Sequence, residues 1–297
     1  MKGLQSNDLI ARIIRYRIAY LWFAPFLILF VIFWAWPILF SFNLSLHKWQ
    51  MLGKPTFVGL RNFGYLFKDE YFWTSFYNTL YYFLTIVPLR TFLALVIAFV
   101  LNSPQVRWKE GFRIIYVLPY VTAPIYVALL FKVLMAEGGG WINVFLEQAF
   151  GIQPVPWLVS PAWSKISVST VVYWNGFGFY MLILLGGLQK IPKDLYEAAA
   201  IDGANQVRCF FRITVPLMLP IIAFIMIIST IEIFSLFEAP LLLTEGGPGV
   251  SSITLTLQLW RNAFDYFKMG YASAYAVVIF LAVVFLSALQ LKWFKSK

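Results

Sequence analysis

The residues of this sequence that could do chemistry are few. Its 297 residues include one histidine, His47, and one cysteine, Cys209, far apart in the chain. One residue of each kind is too few for a zinc site, and their separation argues against a cysteine–histidine nucleophile pair. The phosphate-binding pattern G-x-x-x-x-G-K-[ST] is missing, and Gly53-Lys54-Pro55 is the nearest fragment of it. Any ATP hydrolysis that drives this protein must therefore come from a separate chain.

Arg90, Lys132 and Glu232 are charged residues inside long apolar runs, and Glu238 lies at the end of one. Intramembrane charges generally mark functional sites, because each costs a few kcal/mol at the bilayer centre. Lys132 and Glu238 lie near the ends of their runs, so their side chains could extend to the interface instead. Arg90 could pair with carbonyls or with a carboxylate, or it could take part in transport. Counting along the helices separates Arg90 and Glu232 by about 10 Å in depth, which favours a Glu232 that faces a pore.

A further group of candidate residues lies at positions 173–180, where Asn175 stands among aromatic side chains. Sugars present hydroxyl groups that amides and carboxylates can bind, and C–H faces that aromatic rings can cover. This segment could therefore line a sugar cavity. Aromatic residues in membrane helices also serve as packing or interface anchors, and the segment alone leaves both interpretations open.

The elements that must hold these residues are membrane spans. The chain is 61% hydrophobic and 12% charged, with a mean hydropathy of +0.77, whereas soluble domains are about 25% charged. A helix needs about 20 apolar residues to cross a bilayer. Runs of that order cover residues 20–42, 77–101, 112–135, 166–188, 213–237 and 270–291. The sequence thus predicts an all-α membrane protein in which one domain, residues 1–297, contains six transmembrane helices.

Two features of the chain ends and loops complete this topology. The first run follows a basic arm, as in a signal peptide, but it is too long for one and no small-residue cleavage site follows it. We therefore expect an uncleaved first span. On the opposite side of the membrane from the termini, the glycines at 138–140 predict a turn, and Trp141–Phe150 predicts a short interfacial helix.

Basic residues set the orientation of the spans. With six spans both termini lie on one side, and that side holds 14 of the 23 lysines and arginines. The positive-inside rule therefore predicts cytoplasmic N and C termini. The same asymmetry accounts for the formal charge of +10 without any nucleic-acid partner. Cys209 would then face a reducing compartment.

A polar stretch at residues 189–212, between the fourth and fifth spans, predicts helix, turn and helix on the cytoplasmic side. Pro192 suits a first helical turn, and Gly203 supplies a position where φ can be positive. Beyond the turn, side chains recur at i, i+3, i+4 and i+7, which predicts an apolar docking stripe. The residues of that stripe are Val207, Phe210, Phe211 and Thr214. On these residues alone, an ordinary loop between spans remains the simpler alternative.

The polar stretch resembles the EAA loop of binding-protein-dependent ABC importer permeases. That motif is Glu-Ala-Ala, three residues, Gly, nine residues, Ile, one residue and Leu-Pro. The matching residues here are Glu197, Ala198, Ala199, Gly203, Ile213 and Pro216. Val215 stands where the motif has leucine. Asp202 and the pair Phe210-Phe211 are similar to the sugar-importing branch of the family.

The resemblance implies the type I fold of ABC importer permeases and two sets of functional residues. The residues that it implies for contact with an ATPase are Glu197, Ala198, Ala199, Asp202, Gly203, Val207, Phe210, Phe211 and Pro216. The residues that it implies for a substrate cavity are Asn175, Gly176, Phe179, Ser229 and Glu232. It implies no catalytic residue, metal or cofactor in this chain.

The resemblance also implies a multi-subunit importer in a prokaryotic plasma membrane. A second, similar permease would complete the pore, and two cytoplasmic ATPase subunits that bind ATP and Mg²⁺ would contact the polar stretch. An extracytoplasmic binding protein would deliver a carbohydrate such as an oligosaccharide, and the spans would rock between two states. A glycerol-phosphate or polyol permease is one alternative. A self-sufficient secondary transporter is another, but it would need its own coupling-ion site and often an inverted repeat.

Overall fold

The computed structural model describes residues 16–103 and 105–295, and this part of the chain is mostly helical. Lys2, Arg12, Arg15 and Lys297, which entered the count of basic residues, lie outside the described residues. The sequence prediction for these four positions rests on the charge pattern alone.

The first long apolar helix contains a local change of pitch. Helix α1 (Arg17–Phe30) continues through a π-helical turn (Val31–Ala35) into helix α2 (Trp36–Ser45). The first span therefore extends beyond the predicted residue 42. None of the residues in the most apolar stretch of this span is buried by the described part of the chain. Its surface is therefore open to lipid or to another subunit.

A hairpin that hydropathy did not predict follows the first span. Strands β1 (His47–Gln50) and β2 (Leu52–Phe57) pair antiparallel. The short helix α3 (Arg61–Leu66) then leads to α4 (Glu70–Asn102). The side chain of Asp69 caps α4 at its first turn, so this helix begins at Glu70 rather than at the predicted residue 77.

Proline divides the third predicted span, residues 112–135, into two helices. Helix α5 (Lys109–Val121) and helix α6 (Pro124–Leu134) meet at 94°. A proline fits the first turn of a helix because its missing N–H would have no partner there. Helix α7 (Trp141–Phe150) has the bounds predicted from the sequence, and α8 (Pro161–Leu188) contains the predicted fourth span.

The polar stretch forms two helices separated by a turn, as predicted. Helix α9 (Asp194–Ile201) ends just before Gly203, whose φ of +75° lies in the left-handed region. Helix α10 (Gln206–Cys209) passes through a π-helical turn (Phe210–Thr214) directly into α11 (Val215–Phe234). The second half of the polar stretch is therefore continuous with the fifth span.

The last part of the chain contains two short helices and one long helix. Helix α12 (Glu238–Thr244) is separate from α11, so Glu238 begins a new helix instead of ending the fifth span. Helix α13 (Leu255–Trp260) leads through a π-helical turn (Arg261–Asp265) towards α14 (Met269–Lys295). Among the described residues, five helices are long and apolar enough to cross a membrane, or six if α5 and α6 count as one span.

The long helices pack into a bundle with α4 and α8 at its centre. Tyr82 and Ile86 of α4 are fully buried in one apolar cluster with Val168 of α8. Helix α11 packs against α4 and α14, and α5 lies along α8. This packing brings the polar residues of α4, α8 and α11 together inside the bundle.

Candidate substrate cavity and coupling surface

Arg90 of α4 lies inside the bundle and is only 1% exposed. Its Nη1 donates a hydrogen bond to Oε1 of Glu232 at 3.1 Å, and its Nη2 donates to Oε2 at 2.7 Å. This bidentate pair joins α4 to α11. The predicted depth difference between the two residues was therefore wrong. It was counted from approximate span ends and treated both helices as upright rods.

Residues of α8 and α11 hold the arginine in place. Nη2 of Arg90 also donates to Oγ of Ser229, and its Cζ lies 4.4 Å from the ring centroid of Tyr180, in cation–π geometry. The Tyr180 hydroxyl donates to Oε2 of Glu232 at 2.6 Å. Gly176 leaves room for the guanidinium, because a Cβ there would lie 2.5 Å from Nη1. Three helices thus fix the orientation of one carboxylate.

A cavity of about 190 Å³ opens beside this carboxylate. The polar side chains that line it are those of Asn175, Glu232, Ser235 and Glu238. The side chain of Glu232 is 41% exposed although it is paired, so it has Arg90 on one side and the cavity on the other. The alternative that Glu232 pairs with Arg90 is therefore present in the structure, and the same carboxylate also borders the cavity. That Glu232 faces a transport pore stays a prediction.

Asn175 lines the cavity and also supports the broken third span. Its Nδ2 donates to the carbonyl of Pro119 at 2.8 Å and to that of Thr122 at 3.4 Å. These carbonyls lie where α5 ends, and the last carbonyls of a helix lack their usual i+4 partners. The carbonyl of Pro119 also accepts from the backbone N–H of Thr122. Asn175 therefore ties the break between α5 and α6 to α8.

The other residues predicted for the cavity lie behind its wall or beside it. Gly176 and Ser229 are buried against Arg90. The ring of Phe179 stacks on that of Tyr120, with centroids 4.5 Å apart and planes 10° apart. Contact of these three residues with a substrate stays a prediction.

Two residues of the site, Tyr180 and Glu238, were not among the residues predicted for the cavity. Tyr180 stands four residues after Gly176, and this helical spacing could have placed its ring beside the same partner. Glu238 was expected to extend to the membrane interface, but the end of α11 at Phe234 brings it to the cavity. Lys132, for which the same was expected, has its Nζ 4.0 Å from Oε1 of Glu245.

The predicted docking stripe is split between the surface and the interior. Val207 is 64% exposed and Phe211 is 58% exposed, whereas Phe210 is 7% exposed and Thr214 is fully buried. The ring of Phe210 packs edge-on against Phe99, with centroids 5.1 Å apart. The prediction of one docking stripe was therefore wrong for Phe210 and Thr214, whose side chains face inward. The π-helical turn changes the angular spacing of side chains that an α-helix would give.

The rest of the polar stretch lies on the surface of the bundle and is mostly exposed. Helix α9 buries none of its residues, and its Glu197 and Ala198 are exposed while Ala199 is half-buried. The exposed residues beyond α9 include Asp202, Gly203 and Pro216. The helix is anchored through Tyr196, whose hydroxyl shares a 2.8 Å hydrogen bond with Oγ1 of Thr214. We name the exposed residues of α9 and α10, with Phe211, the coupling surface.

The fold, the cavity and the coupling surface define a polytopic α-helical membrane protein with a polar site inside its bundle and a polar helix pair at one end. Residues 79–296 match the model of the family described as binding-protein-dependent transport system inner membrane component. The chain belongs to this family. It is a multi-pass membrane permease of the ABC importer class, in which separate ATPase subunits hydrolyse ATP.

Individual proteins of known sequence are similar to this chain over nearly its whole length. The chain is 36% identical over 284 residues to the probable ABC transporter permease protein YurN of Bacillus subtilis (strain 168), which covers 94% of this chain and 96% of the relative. It is 36% identical over 275 residues to the lactose transport system permease protein LacF of Rhizobium radiobacter, which covers 91% and 92%.

A solved structure shares the fold. The match has a TM-score of 0.84 and 23% sequence identity, and it covers 97% of this chain and 98% of the other. That chain comes from the crystal structure of a bacterial ABC transporter involved in the import of the acidic polysaccharide alginate. The match confirms the predicted ABC importer permease fold.

Proposed function

We propose that this chain is one of two permease subunits of an ABC importer for a carbohydrate, which an extracytoplasmic binding protein delivers. The observation that carries the proposal is the polar cavity beside the Arg90–Glu232 pair, inside a bundle of membrane helices. A carboxylate held in this way can accept sugar hydroxyls in charge-assisted hydrogen bonds of about 1.5–3 kcal/mol each. The similarity to a lactose permease supports a carbohydrate as the substrate class.

The size of the cavity supports a second permease subunit. Its volume of about 190 Å³ is below the roughly 300–1,000 Å³ of pockets that enclose a small-molecule ligand. A second, similar subunit would supply the opposite wall. The unburied surface of the first span offers part of the area over which such a subunit could pack.

Coupling to ATP hydrolysis would pass through α10 and α11. Two ATPase subunits, which bind ATP and Mg²⁺, would lie on the cytoplasmic side. One of them would contact the coupling surface of this chain, and the other would contact that of the second permease. Helix α10 continues into α11, and α11 carries Glu232 near its other end. A displacement of the coupling surface is then transmitted along one helix to the cavity wall, as alternating access requires.

The proposal is tested by co-purifying the tagged chain with its candidate permease and ATPase partners. Phe211→Asp places a charge on the exposed coupling surface, and Leu52→Asp places one on the hairpin, where the side chain is also exposed. We expect Phe211→Asp to lose the ATPase subunits and to keep the second permease, and Leu52→Asp to keep both. Full recovery of the ATPase subunits with Phe211→Asp would contradict the proposed contact.

A further inference from the structure

The polar atoms that the cavity offers to a ligand are mainly hydrogen-bond acceptors, beginning with Glu232. Among the described residues, its Oε2 already accepts from Arg90 and from Tyr180, whereas its Oε1 accepts from Arg90 alone. Each carboxylate oxygen can accept two hydrogen bonds. Oε1 therefore keeps one acceptor position for a ligand.

Asn175 also presents an acceptor. Its Nδ2 carries two protons, and both are directed to the carbonyls of Pro119 and Thr122. These two carbonyls also fix which end of the amide is nitrogen. Its Oδ1 is the atom left for a ligand. Of the polar side chains that the described residues contribute to the wall, the hydroxyl of Ser235 alone can still act as a donor.

The net charge of the wall is negative, like the partial charges of these acceptor oxygens. The charges of Arg90 and Glu232 balance each other, and the arginine is buried behind the glutamate. Glu238 has no ion-pair partner within residues 16–103 and 105–295, and it lines the cavity. The described lining residues include no lysine, arginine or histidine. This wall therefore carries about one net negative charge.

We infer that this wall of the cavity favours an uncharged, hydroxyl-rich saccharide and disfavours phosphorylated polyols and uronic-acid oligosaccharides. The inference rests on the proposed function and names its substrate class. A neutral sugar brings donors to Glu232, Glu238 and Asn175, whereas a phosphate or carboxylate would meet acceptors and a like charge. A site that leaves buried polar groups unpaired rejects the wrong ligand strongly.

The sign of the electrical charge in the cavity can be measured with a cysteine that reacts with charged reagents. Cys209 is the single cysteine of the sequence, so Ser235→Cys in a Cys209→Ser background places one thiol in the wall. The assembled complex is treated with a trimethylammonium and with a sulfonate methanethiosulfonate, and each rate is divided by that with free mercaptoethanol. We expect the cationic reagent to be favoured about tenfold, equivalent to about 1.4 kcal/mol.

Two further variants assign that preference to the wall. Glu238→Gln should bring the ratio of the two rates close to one, whereas Glu147→Gln, an exposed carboxylate of α7 outside the cavity lining, should leave it unchanged. Equal rates in the Ser235→Cys protein, or a preference for the sulfonate, would overturn the inference. A thiol that reacts with neither reagent would overturn it too, because the cavity would then be closed to solutes.

Uptake by proteoliposomes that hold the complex and its binding protein separates this inference from the proposed function. The probes are a neutral trisaccharide, a galacturonate trisaccharide and glycerol 3-phosphate. We expect ATP-driven uptake of the neutral probe alone. Equal uptake of an anionic probe would overturn the inference and leave the proposed function intact. If none of the three probes is taken up while the labelling ratio is as expected, the proposed function would be contradicted. The negative charge of the wall would still be established.

Discussion

Arg90 and Glu232 form a bidentate ion pair inside the helix bundle although 142 residues separate them in the chain. The arginine is almost fully buried, and the glutamate remains partly open to the cavity. The pair therefore fixes α4 to α11 and holds the carboxylate against the wall. Removing one charge should have a different effect from removing both.

Glu232→Gln should destabilise the subunit by about 2 kcal/mol, because the buried Arg90 loses its counterion. Loss of one partner from a fully buried pair costs about 3–5 kcal/mol, and solvent at Glu232 reduces this cost. Adding Arg90→Gln should restore most of the lost stability. Thermal unfolding in detergent measures both effects.

The matched control for that experiment is Glu110→Gln. Glu110 pairs with Arg113 at 2.6 Å, but its side chain is 80% exposed, so the loss should be below about 1 kcal/mol. If the losses of Glu232→Gln and Arg90→Gln add in the double variant, the pair does not couple the two helices as we describe.

Gly176→Ala should destabilise the protein by about 1–3 kcal/mol, a typical cost of overpacking a core. The new Cβ would lie 2.5 Å from Nη1 of Arg90 and would displace the guanidinium. Gly186→Ala, in the same helix, meets no atom in the described part of the chain within 4 Å and should be neutral or stabilising. Equal unfolding temperatures for the two variants would show that Gly176 does not provide the space for Arg90.

Gly203→Val should weaken coupling to the ATPase and leave membrane insertion intact. No atom of the described residues lies within 4 Å of a Cβ at this position, so the effect arises from the φ of +75° and not from a clash. A β-branched residue in this conformation is strained, whereas asparagine tolerates it. We expect binding-protein-stimulated ATP hydrolysis to fall with Gly203→Val and to be retained with Gly203→Asn. Full stimulation in the valine variant would show that the turn does not position the coupling surface.

The orientation of the chain is tested with single cysteines in a Cys209→Ser background. Lys54 lies in the exposed strand β2, and Lys193 immediately precedes α9. A cysteine at Lys54 should react with a membrane-impermeant reagent in intact cells, whereas cysteines at Lys193 and Lys297 should react only after the cells are opened. Labelling of either of the last two in intact cells would reverse the predicted topology.

The membrane spans and the short helix α7 could be predicted because their signals are local. A run of apolar residues specifies a span, and the bounds Trp141–Phe150 followed from a glycine-rich turn. Gly203 was predicted to allow a positive φ because of its place between two helical patterns, and the structure confirms it. The hairpin of β1 and β2 could not be predicted in this way, since its strands are short, mix polar with apolar residues and are mostly exposed.

The cavity could be predicted only in part, because it depends on contacts between distant elements. Asn175 and Glu232 were chosen from their residue types and from the family resemblance, and the structure places both in one wall. The partner of Glu232 depends on how α4 and α11 cross, which residue counting does not give. The inward position of Phe210 depends on a π-helical turn, which the i, i+3, i+4 pattern does not predict either.

The central claim is that this chain moves a carbohydrate only as part of an ATP-driven complex. The most direct measurement is the uptake of a labelled neutral trisaccharide into proteoliposomes with the chain, its second permease, the ATPase subunits and the binding protein. We predict accumulation that requires ATP on the side of the ATPase subunits and stops when any component is left out. Accumulation by this chain alone, driven by an ion gradient without ATP, would contradict the account.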